Sequence, residues 1–321
     1  MSSYRRIDYS IRPAKHAERR MMCDVFRRLR PFQRIEEYLY VGFGSVWFSD
    51  FILFHRALGI RKMLSIEQTK LAEDRFEENK PFNIPVDYRP SREALSDLRW
   101  DERMFLWLDY DDPLRLDMLH DLRTTARRAR SGTVVAVTIQ CSQADEIAEA
   151  QKIGLGAPSP IELFRNRFGA SRLGDDAGLG HLYGWAFGGL CRKIIRQELL
   201  SELAARNSAG QEDELRFHPI CDFEYEDGAK MTTVVGMFVS ATEQQLFDEC
   251  HFKALDFLPE DRLTVRINIP KLTPREFRKL ESQLPLNAGK ELHLGTIPEG
   301  EAKSFERLYR YLPNFAVLES N

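Results

Sequence analysis

A chain of 321 residues, 43% hydrophobic and 30% charged, is long enough for one large core or a core with an appended module. Its net charge of -3 gives the whole molecule no strong pull toward nucleic acid or an anionic membrane. There is no apolar run of spanning length, no signal-peptide core after the charged start and no CxxC pair among Cys23, Cys141, Cys191, Cys221 and Cys250. A membrane span, a zinc site and a disulfide framework are therefore not expected, and a reduced cytoplasmic setting is.

Residues 1–11 read as an irregular lead-in. Pro13 suits a first helical turn, where its missing N–H costs nothing. Met22, Val25, Phe26 and Leu29 then repeat at helical spacing, with Arg19, Arg20, Arg27 and Arg28 on other faces. Residues 1–35 carry ten Arg and Lys against Asp8, Glu18 and Asp24. This N-terminal basic amphipathic helix reads as a solvated face. A basic arm that holds an anionic substrate or nucleic acid is the other reading, with Arg12 and Lys15 closest in sequence to the first strand.

That strand, over about 37–42, ends in Gly42-Phe43-Gly44-Ser45. Val46, Trp47, Phe48, Phe51, Ile52 and Phe54 make the next segment a mostly buried helix that ends near Gly59, with Asp50 read as a local cap or partner. A second strand over 62–66 ends at Glu67, 23 residues beyond Gly44. Strand, glycine turn, helix, strand, acid is the layout of a site for an adenosine-containing ligand. Glycine admits the ligand to the backbone, the helix offers free N–H groups, and the acid accepts a ribose diol.

A polar helix over 68–80 and a weak strand over about 83–88 come next. They are followed by Arg89-Pro90-Ser91 and a helix from Arg92 to Leu98. Met104–Leu108 is a continuous apolar strand closed by Asp109-Tyr110-Asp111-Asp112-Pro113, and 114–130 is helical. Thr133–Ile139 is a fifth, β-branched strand. Apolar runs separated by helices predict a Rossmann-like α/β fold, a mostly parallel sheet covered on both faces.

Beyond it a helix spans Ala144–Gln151, and 153–189 holds nine glycines with Arg165, Arg167, Arg172, His181, Tyr183 and Trp185. Glycine density at the carboxyl edge of a sheet predicts a mobile substrate lid, with His181, Tyr183 and Trp185 gripping an acceptor. A helix over Leu190–Leu203 precedes strands at Leu215–Tyr225 and Met231–Val239, joined across Asp227-Gly228 as a terminal antiparallel hairpin. Residues 247–321 read as a small C-terminal α+β accessory module. It has a strand from Leu263 to Ile269, a helix capped by Thr273 and Glu276, and a last helix with Phe305 and Leu308. The expected division is 1–35, then 36–246 with 153–189 as an insert, then 247–321.

Three ligand classes use a glycine turn on a parallel sheet. A P-loop needs Gly-Lys-Ser/Thr, which is absent, and a dinucleotide turn wants a third glycine where Trp47 stands. S-adenosylmethionine has no pyrophosphate to cradle and needs neither. VGFGS at 41–45, SIE at 65–67, LDYDDPL at 108–114 and the Asp-Gly hairpin resemble the Rossmann-like class I methyltransferases over about 35–240. More narrowly, IRPAKHAERRMM at 11–22, WLDYDDPL at 107–114 and INIPKLTPREFRKLESQLP at 267–285 resemble a bacterial predicted O-methyltransferase family of conflict-associated gene clusters.

The resemblance implies S-adenosylmethionine as cofactor, held by Gly42, Phe43, Gly44, Ser45, Glu67, Ser91 and Asp109. It also implies methyl transfer, on oxygen of a small-molecule or nucleotide-like acceptor, beside Asp109 and Tyr110 as the catalytic pair. Asp109 is read as a ligand to the donor's amino group or as a base. Asp109, Asp111 and Asp112 are candidates for a cation, but Gln140-Cys141-Ser142 replaces the Asp-Asn pair of metal-dependent members, so no metal is expected. Two other readings stand beside this one. One is a non-catalytic nucleotide-binding module. The other is a nucleic-acid methyltransferase, which lacks an Asn-Pro-Pro-Tyr or Pro-Cys motif here.

Overall fold

The computed structural model describes residues 12–68, 73–154, 156, 158–174, 177–210, 214–287 and 289–313. The expected lead-in at 1–11 lies outside them. The strands are β1 (Leu39–Phe43), β2 (Lys62–Ile66), β3 (Val86–Asp87), β4 (Met104–Asp109), β5 (Val134–Gln140), β6 (Leu215–Asp227), β7 (Ala229–Ser240) and β8 (Thr264–Ile267). They form one eight-stranded sheet in the order β3-β2-β1-β4-β5-β7-β6-β8. β1 pairs in parallel with β2 and β4, β2 with β3, and β4 with β5. Only β7 runs against its neighbours, which it meets as the return strand of the hairpin that turns at Gly228, φ +89°. The predicted α/β class, with its mostly parallel sheet and terminal antiparallel hairpin, is the observed one.

Alternation along β4 shows how the sheet separates two cores. Phe105 and Trp107 face a cluster with Tyr38, Tyr40 and Phe54, while Met104, Leu106 and Leu108 face the other. The first face is covered by α1 (Pro13–Arg27) and α2 (Ser49–Leu58). The second is covered by α4 (Ser91–Asp97), α5 (Leu116–Arg128) and α9 (Gly184–Ser208). Phe26 of α1 stacks on Phe105 at 3.9 Å, and Phe105 stacks on Tyr38 at 4.3 Å. This stack fixes α1 across β4. Between β2 and β3, α3 (Glu73–Asn79) presents Phe76 to the core.

Three expectations change. First, α1 is not a solvated basic face: ten of its residues are buried, including Lys15, Glu18 and Arg19. Second, 153–189, read from its glycines as a lid, is largely helical. It carries the end of α6 (Asp145–Ile153), α7 (Pro160–Phe168), α8 (Ala170–Leu173), a 3-10 turn at Leu179–Leu182 and the start of α9. Phe164, Phe168, Leu173, Leu182 and Phe187 from this stretch are core residues. Helix propensity and an apolar stripe outweigh the glycines, of which Gly154, Gly169 and Gly174 end helices. Third, the tail is joined to the sheet. β8 pairs in parallel with β6, after α10 (Gln244–Glu249) and before α11 (Pro274–Glu281) and α12 (Glu299–Leu308). Leu280, Phe305 and Leu308 belong to the same core cluster as α1. The capping box at Thr273 and Glu276 forms as expected. All five cysteines are buried and free. Among the described residues no helix is long and apolar enough to cross a membrane.

Candidate active site

The turn after β1 lies at the carboxyl edge of the sheet, where parallel α/β folds bind ligands. Gly44 N–H donates to the Ile66 carbonyl at 3.0 Å, which ties the turn to the end of β2. A Cβ built on Gly44 lies 3.8 Å from the Glu67 Cβ, so the structure brings the predicted glycine and acid together. The same Cβ sits 2.3 Å from Ser65 Oγ, and one on Gly42 sits 2.5 Å from the Tyr40 hydroxyl. Neither glycine has positive φ. What demands glycine here is therefore space above two neighbouring side chains. A valine at 44 meets Ser65 as well as any ligand that the turn admits. Trp47, at the third-glycine position, precedes α2 and is 43% exposed rather than packed. Phe48 enters α2 in the left-handed region at φ 43° with its ring buried, a strained conformation for a bulky side chain.

Beside the turn, β4 ends at Asp109. Lys15 reaches down from α1, donates to Asp109 Oδ1 at 2.8 Å and forms an ion pair with Glu18 Oε2 at 2.8 Å. Lys15 is 1% exposed, lies over the Trp107 ring at 4.4 Å and faces the Tyr225 ring at 5.4 Å. Glu18 accepts from the Thr233 hydroxyl, which bonds Thr138 at 2.8 Å, and Thr138 accepts from the Trp107 indole at 2.9 Å. Burial raises the Glu18 carboxyl, and the Lys15 charge opposes that shift. For Asp109 burial also pushes upward, but Lys15, with Arg19 and Arg12 behind it, holds the carboxyl below the usual carboxylate range. Asp109 is thus a strong acceptor of hydrogen bonds and a weak base.

Asp227, from the hairpin tip, anchors the start of α1. Its carboxylate accepts from Ala14 N–H at 3.2 Å and Lys15 N–H at 2.8 Å, in place of a cap from the helix's own sequence.

Ser91 and Tyr110 meet on a buried acid not foreseen from sequence. The Ser91 hydroxyl donates to Asp121 Oδ2 at 2.5 Å and the Tyr110 hydroxyl to the same oxygen at 2.7 Å. Burial, and then the Asp121 charge, push the Tyr110 phenol well above its ordinary range, so it is a neutral donor at neutral pH. Its ring meets Phe43 edge-on at 5.0 Å, which sets two half-buried aromatic rings beside the turn. Asp50, in the first turn of α2, accepts from the Tyr40 hydroxyl beneath Gly42, the local pairing expected of it.

The other sequence candidates divide. Arg12 is buried at the start of α1, on the side of Asp109. His181 accepts from Gly178 N–H at 3.1 Å, and Tyr183 is 44% exposed and bridges to Gln143. Trp185 lies between the cations of Arg266, at 4.7 Å, and Lys230, at 5.6 Å. No contact joins these three to the Lys15–Asp109 cluster among the described residues. Asp112 pairs with Arg115 at 2.9 Å, and no cluster of three metal-ligating side chains forms among the described residues. Reasoning from sequence missed Glu18, Arg19 and Asp121. The signal for Glu18 was present: Lys15 and Glu18 continue the Met22, Val25, Leu29 stripe at spacings of three and four.

The strand order, the single reversed strand and the glycine turn opposite an acid define the architecture of the class I methyltransferases. A family described as "Putative O-methyltransferase" matches residues 7–320, and the chain belongs to it. No curated protein matches in sequence. Among solved structures, the chain is similar to DesVI of Streptomyces venezuelae (13% identity, 39% of this chain and 51% of that one, TM-score 0.30). It is also similar to Trm1 of Pyrococcus horikoshii in complex with S-adenosyl-L-methionine (8% identity, 73% and 58%, TM-score 0.42). A third is the plantazolicin methyltransferase BamL (8% identity, 69% and 85%, TM-score 0.37). The chain thus spans about half the length of DesVI.

Proposed function

We propose that the chain is an S-adenosylmethionine-dependent O-methyltransferase whose cofactor lies along the edge from Glu67, over Gly42–Ser45, to Asp109. The observation that carries this reading is the approach of Gly44 to Glu67 at the carboxyl end of adjacent parallel strands. The residues fit the group. The half-buried Glu67 carboxylate matches a ribose diol, and the Phe43 and Tyr110 rings offer an apolar wall. Asp109 offers an ionised acceptor for an ammonium group.

S-adenosylmethionine, when bound, supplies a methyl group activated by a positive sulfur. The chain's own residues position and shield. Lys15 keeps Asp109 ionised and aimed, Ser91 and Tyr110 brace the loop through Asp121, and α1 closes over β4 through the Phe26–Phe105 stack. Positioning dominates such an in-line displacement, because a correctly aligned attack avoids much of the entropic barrier. Of the two roles open to Asp109, its lowered pKa favours ligand over base.

Glu67→Ala removes two charge-assisted hydrogen bonds, so it weakens S-adenosylhomocysteine binding by roughly 2–4 kcal/mol. Calorimetry reads this directly. Equal affinity of native and variant chains removes Glu67 from the site, and no binding by the native chain removes the cofactor.

A further inference from the structure

Between α1 and α2 lies a groove of about 510 Å³. Four arginines (Arg12, Arg19, Arg20 and Arg56) and His16 line it, with Ile52 and Leu53 as apolar floor, and no Asp or Glu is among the lining residues. Elsewhere on α1, basic groups are matched. Arg27 pairs with Asp24 at 2.6 Å, and Arg28 donates to the Ala254 carbonyl at 2.8 Å. On the groove side, Arg19, Arg20 and Arg56 form no ion pair or hydrogen bond among the described residues, although Arg19 is 8% exposed. Asp50 and Asp109 are near enough to feel the Arg19 charge, but neither lies within ion-pair distance of it. The arginine field is felt nearby: burial, and then Arg20 and Arg19, hold the His16 imidazole below its ordinary pKa. Asp50 and Asp109 are the acids that respond to Arg19 from the protein side, and neither lies in the groove.

We propose that this groove takes the methyl acceptor, and that the acceptor is a small molecule with an apolar body and a carboxylate or phosphate group. The proposal rests on the methyltransferase reading above. An arginine fork bonds two oxygens of either anion at once. The start of α2, with Ser49 in the lining, adds the positive end of a helix dipole. Arg12 and Arg19 act on the charge of Asp109, so the inner wall of the groove lies on the side of the candidate cofactor edge. A volume of 510 Å³ is in the range of small-molecule sites.

The test uses calorimetry on the full chain with inorganic phosphate, succinate and S-adenosylhomocysteine. The native chain binds at least one of the two anions saturably, and more weakly as salt rises. The double variant Arg20→Ala/Arg56→Ala changes two exposed side chains, so it keeps the native melting behaviour. It loses about tenfold or more in anion affinity, while S-adenosylhomocysteine stays within about threefold of native. Preference for phosphate marks a phosphorylated acceptor, and preference for succinate marks a carboxylic acid. Saturation by neither anion overturns the proposal, as does undiminished anion binding by the double variant. A parallel loss of S-adenosylhomocysteine affinity overturns it too, since the groove then holds the cofactor's own carboxylate. Failure of the native chain to bind S-adenosylhomocysteine at all, with anion binding intact, strikes the methyltransferase reading and leaves the anion site standing.

Discussion

Glycine does different work in two regions of this protein. In the turn at 42–45 both glycines have ordinary backbone angles, yet a Cβ on either meets a neighbouring side chain at 2.5 Å or less. In the stretch 154–189 the situation reverses. Gly154, Gly156 and Gly169 have φ of +80°, +90° and +91°, and nothing lies within 4 Å of a Cβ placed there. The first region needs glycine for space, and these three positions need it for backbone geometry, two of them at helix ends. Glycine content alone therefore identifies neither a ligand site nor a mobile segment.

The largest effect expected lies in the buried charges that brace the first region. Asp109→Asn leaves Lys15 with only Glu18, and losing a charged hydrogen bond of this kind costs roughly 1.5–3 kcal/mol. Asp109 has its folded pKa depressed, so its stabilising share is complete above the ordinary value of 3.8 and is lost as pH falls through the lower folded value. Denaturant melts of native and variant chains should differ fully at pH 7 and converge below that value. A gap that is constant down to acid pH contradicts the charge assignment.

Next comes Gly44→Ala. Overpacking against Ser65 costs roughly 1–3 kcal/mol. Adding Ser65→Ala removes the clashing Oγ, so stability returns. If the turn also passes beneath a ligand, S-adenosylhomocysteine affinity remains low in the double variant. Recovery of both together reduces the turn to a packing feature.

Smaller effects belong to the second region. Gly169→Ala forces a side chain into φ 91°, ψ 134°, a region that glycine alone adopts readily, at roughly 1–3 kcal/mol and with no change in ligand affinity. Gly180 has neither a positive φ nor a neighbour within 4 Å, so Gly180→Ala stays within about 0.5 kcal/mol of native. Thermal melts of the two variants should separate by several degrees. Equal melts erase the distinction drawn between helix-end glycines and the rest.

Much of the fold was legible because strands buried on both faces advertise themselves. β2 falls at 62–66 as expected, and the Asp227-Gly228 turn sets the hairpin. The capping box at Thr273 was legible for the same reason: its chemistry is local. The pairing of β8 with β6 was not, because four residues of short strand carry no mark of their partner. Glycine density misled at 153–189, where Phe164 and Phe168, one helical turn apart, were the stronger signal. At the site, Gly44 and Glu67 were found from spacing. Arg19 was not, because charge within a helix ordinarily means solvent, and Glu18 was passed over for the same reason although it continues the apolar stripe of α1. A buried ion pair breaks that rule, and only the third dimension shows its partner.

The anchoring of α1 by Asp227 has a consequence for how the site is assembled. The helix that delivers Lys15 has no cap of its own, and its two bonded N–H groups wait on a residue 212 positions further along. A nascent chain can pair β1, β2, β4 and β5 well before the hairpin is made. It can seat the first helix firmly only afterwards, since contacts this distant in sequence carry a large loop-closure cost. A chain ending short of residue 227 therefore lacks the carboxylate that anchors the start of α1, and with it the anchor of the helix that carries Lys15.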